Sequence, residues 1–198
     1  MAVPVYQSFD GILSDNTTYK LMENITLSNG FTLAPNNTGI GIVWDRNGFT
    51  VTTTITLTPW LGLFPCPVDV WNMGVVSTGT TATGAGWFFQ TGVGGTATYV
   101  YSTGAIGDAG GGIFGANSTG TAANSYSTGA IGVSAGGVFG LGSSGTAINS
   151  FSTGGVGDSG GGIFGANSTG TAINSYVVGD LSANAGDRKS TRLNSSHT

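Results

Sequence analysis

Residues 101–175 read YSTGAIGDAGGGIFGANSTGTAANS (101–125), YSTGAIGVSAGGVFGLGSSGTAINS (126–150) and FSTGGVGDSGGGIFGANSTGTAINS (151–175). These are three copies of one 25-residue unit, and a fourth begins at Tyr176. The first and third copies are identical at 20 of 25 positions, with no insertion to break the register. A strict repeat of this length predicts a stacked, quasi-one-dimensional fold in which each unit leans on its neighbours.

The unit is too rich in Gly, Ser and Thr to be helical, because each interior glycine costs a helix about 1 kcal/mol relative to alanine. Its segments read as short strands between glycine turns. Along GTAINSFSTGGV, Ile148, Ser150, Ser152 and Val156 share one face, and Asn149, Phe151 and Thr153 the other. A second short strand is expected at Gly112–Gly115 and Gly162–Gly165, with Val138-Phe139 as counterpart. Gly110–Gly112 and Gly160–Gly162 are the expected corners, since glycine tolerates positive φ. At about 3.3 Å per residue such a unit traces a loop of about 80 Å, which suits one solenoid coil with three short sides. Equivalent residues then stack about 4.8 Å apart in parallel ladders. The ladders are aromatic (Tyr101, Tyr126, Phe151, Tyr176; and Phe114, Phe139, Phe164) and amide (Asn124, Asn149, Asn174).

The repeat continues upstream in weaker form. A shift of 25 places Ser77-Thr78-Gly79 on Ser102-Thr103-Gly104, Phe89 on Phe114 and Gly95-Thr96-Ala97 on Gly120-Thr121-Ala122. Pairing Trp71–Val76 with Tyr101–Ile106 instead makes one coil five residues longer, and is preferred because it sets strand on strand. Further upstream, Tyr19, Leu21, Ile25 and Leu27 alternate, as do Phe49, Val51, Thr53, Ile55 and Leu57, with turn signals at Asn29-Gly30 and Asn47-Gly48. The expected organisation is an N-terminal cap with broader, irregular β-coils over 1–70, regular coils over 71–186, and a tail at 187–198. A separate N-terminal sandwich is the alternative.

The tail, DRKSTRLNSSHT, holds three of the five basic residues and the single histidine, His197. From Asp187 to His197 it resembles the conceptual translation of a sequencing-adapter oligonucleotide. It is therefore expected to be non-native and to take no part in the fold. Without it, Lys20 and Arg46 face eight acids, a net charge of −6. Nucleic-acid binding requires clustered cations and is not expected, nor is attraction to anionic membranes. No run of about 18 apolar residues predicts membrane insertion. The start, MAVPVYQSFDG, has no basic stretch followed by an apolar one, so a cleavable signal peptide is not expected. Cys66 is the only cysteine and cannot build a disulfide framework.

N-S-Y-S-T-G-A-I followed by G-G-I-F-G resembles the GLUG-type repeat over about residues 70–180. That resemblance implies a right-handed parallel β-helix, similar to segments of bacterial adhesin-like surface proteins and of large-DNA-virus proteins. The family's frequent cysteine is Ser125, Ser150 and Ser175 here, which implies a weaker apolar stack.

Several motifs suggest chemistry without supplying it. Gly157–Gly161 spells GDSGG, but a serine nucleophile needs a histidine base, and His197 lies in the excluded tail. The equivalent stretches read GDAGG and GVSAG. Gly155–Gly160 fits GxGxxG without a helix to follow it. Asp108 and Asp158 fall two coils apart, about 9.6 Å at the rung spacing, and read as solvated turn aspartates. No zinc or calcium ligand set is present, and no cofactor is expected. The sequons at Asn16, Asn24, Asn36, Asn117 and Asn167 matter only in a secretory pathway.

The expected role is a non-catalytic structural or adhesive module of a surface, extracellular or virion protein, with a carbohydrate or cell-surface ligand. Candidate ligand-binding ladders are Tyr101, Tyr126, Phe151 and Tyr176, on which sugars could stack, and Thr121, Thr146 and Thr171. The rows Thr119-x-Thr121, Ser144-x-Thr146 and Thr169-x-Thr171 resemble the threonine arrays of ice-binding solenoids. The alternatives are a carbohydrate-active enzyme and an ice-binding protein. End-to-end self-association through an uncapped last coil is also expected.

Overall fold

The computed structural model describes residues 3–6, 12–13, 16–27, 34–35, 43–45, 50–53 and 61–185. Phe49, Ile55, Leu57, the two Asn-Gly turns and the tail lie outside the described residues. Every strand pairing is parallel, and the strands alternate between two long sheets, as a coil wound on itself requires. The first sheet runs β1 (Val3–Val5), β3 (Thr18–Leu21), β6 (Val43–Asp45), β8 (Asp69–Trp71), β10 (Thr96–Thr98), β12 (Thr121–Ala123), β14 (Thr146–Ile148), β16 (Thr171–Ile173). The second runs β4 (Ile25–Leu27), β7 (Thr50–Thr53), β9 (Gly74–Ser77), β11 (Tyr101–Ser102), β13 (Tyr126–Ser127), β15 (Phe151–Ser152), β17 (Tyr176–Val177). A short pair, β2 (Ile12–Leu13) with β5 (Ala34–Pro35), stands beside them. The chain is a parallel β-solenoid.

The N-terminal strands enter the same two sheets as the repeats, so the separate sandwich is not what forms. The steps between their rungs are uneven: 16 residues from Val3 to Tyr19, 25 from Tyr19 to Trp44, 26 from Trp44 to Val70 and 27 from Val70 to Ala97. Tyr19 pairs with Trp44, Trp44 with Val70 and Val70 with Ala97. The preferred upstream alignment fails as well. Trp71 pairs with Thr98, and Tyr101 with Gly74. From Thr80, opposite Ala105, the simple shift of 25 holds. Two extra residues are absorbed between Val75 and Thr80, at the end of β9, rather than five across a whole side.

Each regular coil turns at three residues of positive φ: in the second, Ser134 (57°), Gly142 (69°) and Asn149 (49°). Ala109, Asn117 and Asn124 in the first coil and Ser159, Asn167 and Asn174 in the third repeat the pattern. Three corners give the three short sides anticipated from coil length. The corner on the glycine-rich side is not a glycine, however. Ala109, Ser134 and Ser159 take the left-handed conformation, and the glycines follow them. Those glycines answer to crowding: a Cβ on Gly111 would lie 2.0 Å from the Phe114 carbonyl oxygen, and on Gly136 2.1 Å from that of Phe139. The expected Gly-Ile-Phe-Gly strand is reduced to single ladder bridges, Phe114 to Phe139 to Phe164.

The left-handed corner at Asn149 also flips the face. Ala147 points inward and Ile148 outward, while Ser150, Ser152 and Val156 point inward. Ile148 therefore does not share the face of the two serines. Inside, the rings of Phe64, Phe89, Phe114, Phe139 and Phe164 form one buried column, the last four stacked with centroids 4.3–4.9 Å apart. Serines line the rest. Ser102, Ser127 and Ser152 donate across the coil to the carbonyls of Gly112, Gly137 and Gly162. In the Ser125, Ser150 and Ser175 column, each backbone N–H donates to the next hydroxyl, at 3.3 and 3.1 Å. That position is a hydrogen-bonded polar stack rather than a weakened apolar one. Ser118 Oγ, buried at the end of another serine column, has no partner. Its equivalent, Ser143 Oγ, donates to Gly115 O. One coil earlier the matching carbonyl, Gln90 O, accepts from Val93 N–H.

The asparagine column is a corner device. Asn149 Nδ2 donates to Asn124 Oδ1 at 3.2 Å, and Asn174 Nδ2 to Asn149 Oδ1 at 3.3 Å. Asn149→Ala should cost about 1–2 kcal/mol, combining a left-handed Cβ penalty with lost amide bonds. Asn149→Gly should cost less, because glycine keeps the corner at no steric expense. Urea midpoints of the two variants measure the difference.

Candidate ligand-binding faces

Among residues 72–179 the carboxylates are Asp108 and Asp158, and no Lys, Arg or His occurs. Any site there must work through rings, hydroxyls and amides. Two outward faces carry them. On the second sheet, Tyr101, Tyr126, Phe151 and Tyr176 stack with centroids 5.2, 4.9 and 5.4 Å apart and planes within 9°. The structure brings all four together, half-buried, with Tyr176 more open. Stacking has a chemical consequence, because each inner ring has both faces covered by neighbours. The column offers ring edges and tyrosine hydroxyls along its length, not a series of open faces for sugars.

On the first sheet, Thr96, Thr121, Thr146 and Thr171 lie in strict register and point outward, with Ala97, Ala122, Ala147 and Ala172 turned toward the core. Thr119, Ser144 and Thr169 add an exposed row beside them. Thr98, Ala123, Ile148 and Ile173 form the next row, so hydroxyl rows grade into an apolar one. The third set, Asn124, Asn149 and Asn174, bounds this sheet and is engaged in its own amide ladder.

The aspartates serve turns. Asp108 Oδ1 accepts from Val133 N–H at 2.9 Å and Asp158 Oδ2 from Asn184 Nδ2 at 3.5 Å, each one coil on. Ser159, the GDSGG serine, sits exposed at a left-handed corner. Among the described residues no group of three or more His, Cys, Asp or Glu is placed to hold a metal ion. No helix among them is long and apolar enough to cross a membrane.

No family model matches this chain, and no curated protein matches it. Among solved structures, the chain is similar to a candidate immunoglobulin A1 protease from Bacteroides ovatus, with a TM-score of 0.51 and 18% identity. The likeness covers 89% of this chain and 75% of that one. At this identity it is a likeness of fold.

Sequence reading missed one cluster. Trp71 and Tyr99 are the most exposed aromatic rings among the described residues, at 52% and 59%. Trp71 faces outward at the end of β8, in register with Thr98, and Tyr99 follows Thr98 at a left-handed corner (φ 54°). With Trp71 aligned to Tyr101, the two residues looked like members of unrelated columns. A shift of 25 does place Tyr99 on Asn124, and that mismatch was the available signal.

Proposed function

We propose that this chain is a non-catalytic structural and adhesive β-solenoid module of the GLUG-repeat kind, displayed on a cell surface, extracellularly or on a virion. One observation carries the reading. The regular coils place like residues above like residues both inside and outside, while side chains charged at neutral pH are confined to two turn aspartates between residues 72 and 179. Such a surface repeats a ligand-sized pattern of hydroxyls and rings, and its interior is selected for persistence. The peptidase description of the structural neighbour is not carried over, since Ser159 stands at a corner with no histidine in the described coils.

The test is a screen of the chain against glycan arrays and whole cells, together with its thermal unfolding. Saturable binding with a melting temperature well above the mesophile range supports the reading. Turnover of a polysaccharide or peptide substrate overturns it in favour of an enzyme.

Self-association belongs to the same reading. β16 and β17 close the two sheets on one side among the described residues, and Ile173, Tyr176, Val178 and Leu181 are exposed there. Light scattering on the chain should show concentration-dependent oligomers formed through these edges. A lysine at Val178 should shift them toward monomer, and a wild-type monomer at all concentrations refutes the association.

A further inference from the structure

We propose that Trp71, Tyr99 and Asp69 form a binding platform for a neutral glycan, deepening the adhesive reading on which it rests. The first argument is the repeat itself. At the corner between the two sheets the chain places Asn72, Asn124, Asn149 and Asn174, all of positive φ, which asparagine tolerates. From Asn72 to Asn174, Tyr99 is the residue that breaks that column, holding a bulky side chain at φ 54°. A bulky residue in this conformation is a genuine outlier, and outliers of this kind gather at ligand sites. The ring it displays is 59% exposed, so core packing does not explain it.

The second argument is placement. Trp71 lies one rung below Thr98 and thus diagonal to Tyr99, on the order of 6 Å away by rung spacing and rise per residue. Neither ring belongs to the stacked column of Tyr101, Tyr126, Phe151 and Tyr176. Both are more than half exposed, unlike the inner rings of the column, whose faces are covered by their neighbours. A sugar presents an apolar face of C–H groups rimmed by hydroxyls. Adjacent Trp and Tyr rings meet the first, because each combines an apolar body with a polar edge.

The third argument is the polar rim and its charge. Asp69 points outward two residues before Trp71 on the same strand, with Thr96 in register beside it. A carboxylate and hydroxyls here accept and donate to sugar hydroxyls. In the column of Trp71 the next residue is Asp45, then Lys20. Among the described residues the carboxylate of Asp69 stands on the same outward face as Trp71, which disfavours an anionic sugar, and a neutral pyranose fits.

The test is a neutral-glycan array followed by calorimetry on the best hit, using the full chain and the variants Trp71→Ala, Tyr99→Asn and Asp69→Asn. Trp71→Ala and Tyr99→Asn should each weaken binding by about tenfold or more, and Asp69→Asn by less. Tyr99→Asn should also raise the melting temperature, since asparagine is the residue the corner takes elsewhere. Lost binding in a more stable protein cannot be a folding defect. If the chain binds glycans and both aromatic variants stay within about twofold of it, the platform is wrong and adhesion resides on another face. If cells bind but no neutral glycan does, the platform falls and the adhesive reading stands. If neither binds, both fall.

Discussion

Phe139→Ala is expected to destabilise the protein by about 3–5 kcal/mol, the range for truncating a fully buried aromatic side chain. Phe139 sits mid-column, its ring 4.7 Å from that of Phe114 and 4.9 Å from that of Phe164, with both neighbours as buried as itself. Removing it leaves a cavity that cannot collapse easily, because the coil spacing is fixed by backbone bonds above and below. Toward the next coil Phe139 N–H donates to Ile163 O, and toward the preceding one Gly140 N–H donates to Phe114 O. Phe151→Ala is the matched control. It removes the same ring from the outer column, where the side chain is only half-buried, and should cost about half as much or less. Guanidinium unfolding followed by tryptophan emission measures both, Trp87 being a fully buried reporter two coils away. Equal costs for the two phenylalanines would mean that the inner column does not carry the core.

The architecture was legible because an uninterrupted 25-residue period leaves a chain few options. The ladders Tyr101–Tyr176, Phe114–Phe164 and Asn124–Asn174 all follow from stacking alone. What alternation could not reveal was inward and outward direction across a corner. A single left-handed residue at Asn149 reverses parity, so Ile148 and Ser150 part company although they alternate correctly on paper. The roles of the glycines were misplaced for a related reason. Permissive φ is a property of one residue, whereas the crowding at Gly111 involves the backbone of the next coil and is visible only in three dimensions. The candidate site was the least legible part. A repeat advertises what recurs, and Trp71 and Tyr99 are where the repeat is broken.

The same substitution, glycine to alanine, should have opposite signs at Gly137 and Gly155. A Cβ on Gly137 would lie 2.2 Å from Gly162 O, 2.4 Å from Ser152 Cβ and 2.5 Å from Ser152 Oγ. These atoms cannot retreat easily, because Ser152 Oγ and Gly162 O are hydrogen-bonded to each other at 2.6 Å in the interior. Making room separates two rungs and breaks that buried bond. Overpacking of about 1–3 kcal/mol adds to about 1–3 kcal/mol for leaving the buried serine and carbonyl unpaired, so Gly137→Ala should lose about 2–6 kcal/mol. At Gly155 the nearest obstacle is Asp180 O at 3.7 Å, an ordinary contact, and the same position is Ala105 and Ala130 in the coils before it. Gly155→Ala should therefore gain about 0.4–1 kcal/mol by restricting the unfolded chain. Because a solenoid is held by nearest-neighbour coupling, the loss at Gly137 should show first as hydrogen exchange in the coils that follow it, before global unfolding. Uniform exchange along the whole chain in Gly137→Ala, or a destabilised Gly155→Ala, would mean that coil-to-coil contact does not set the stability of this fold.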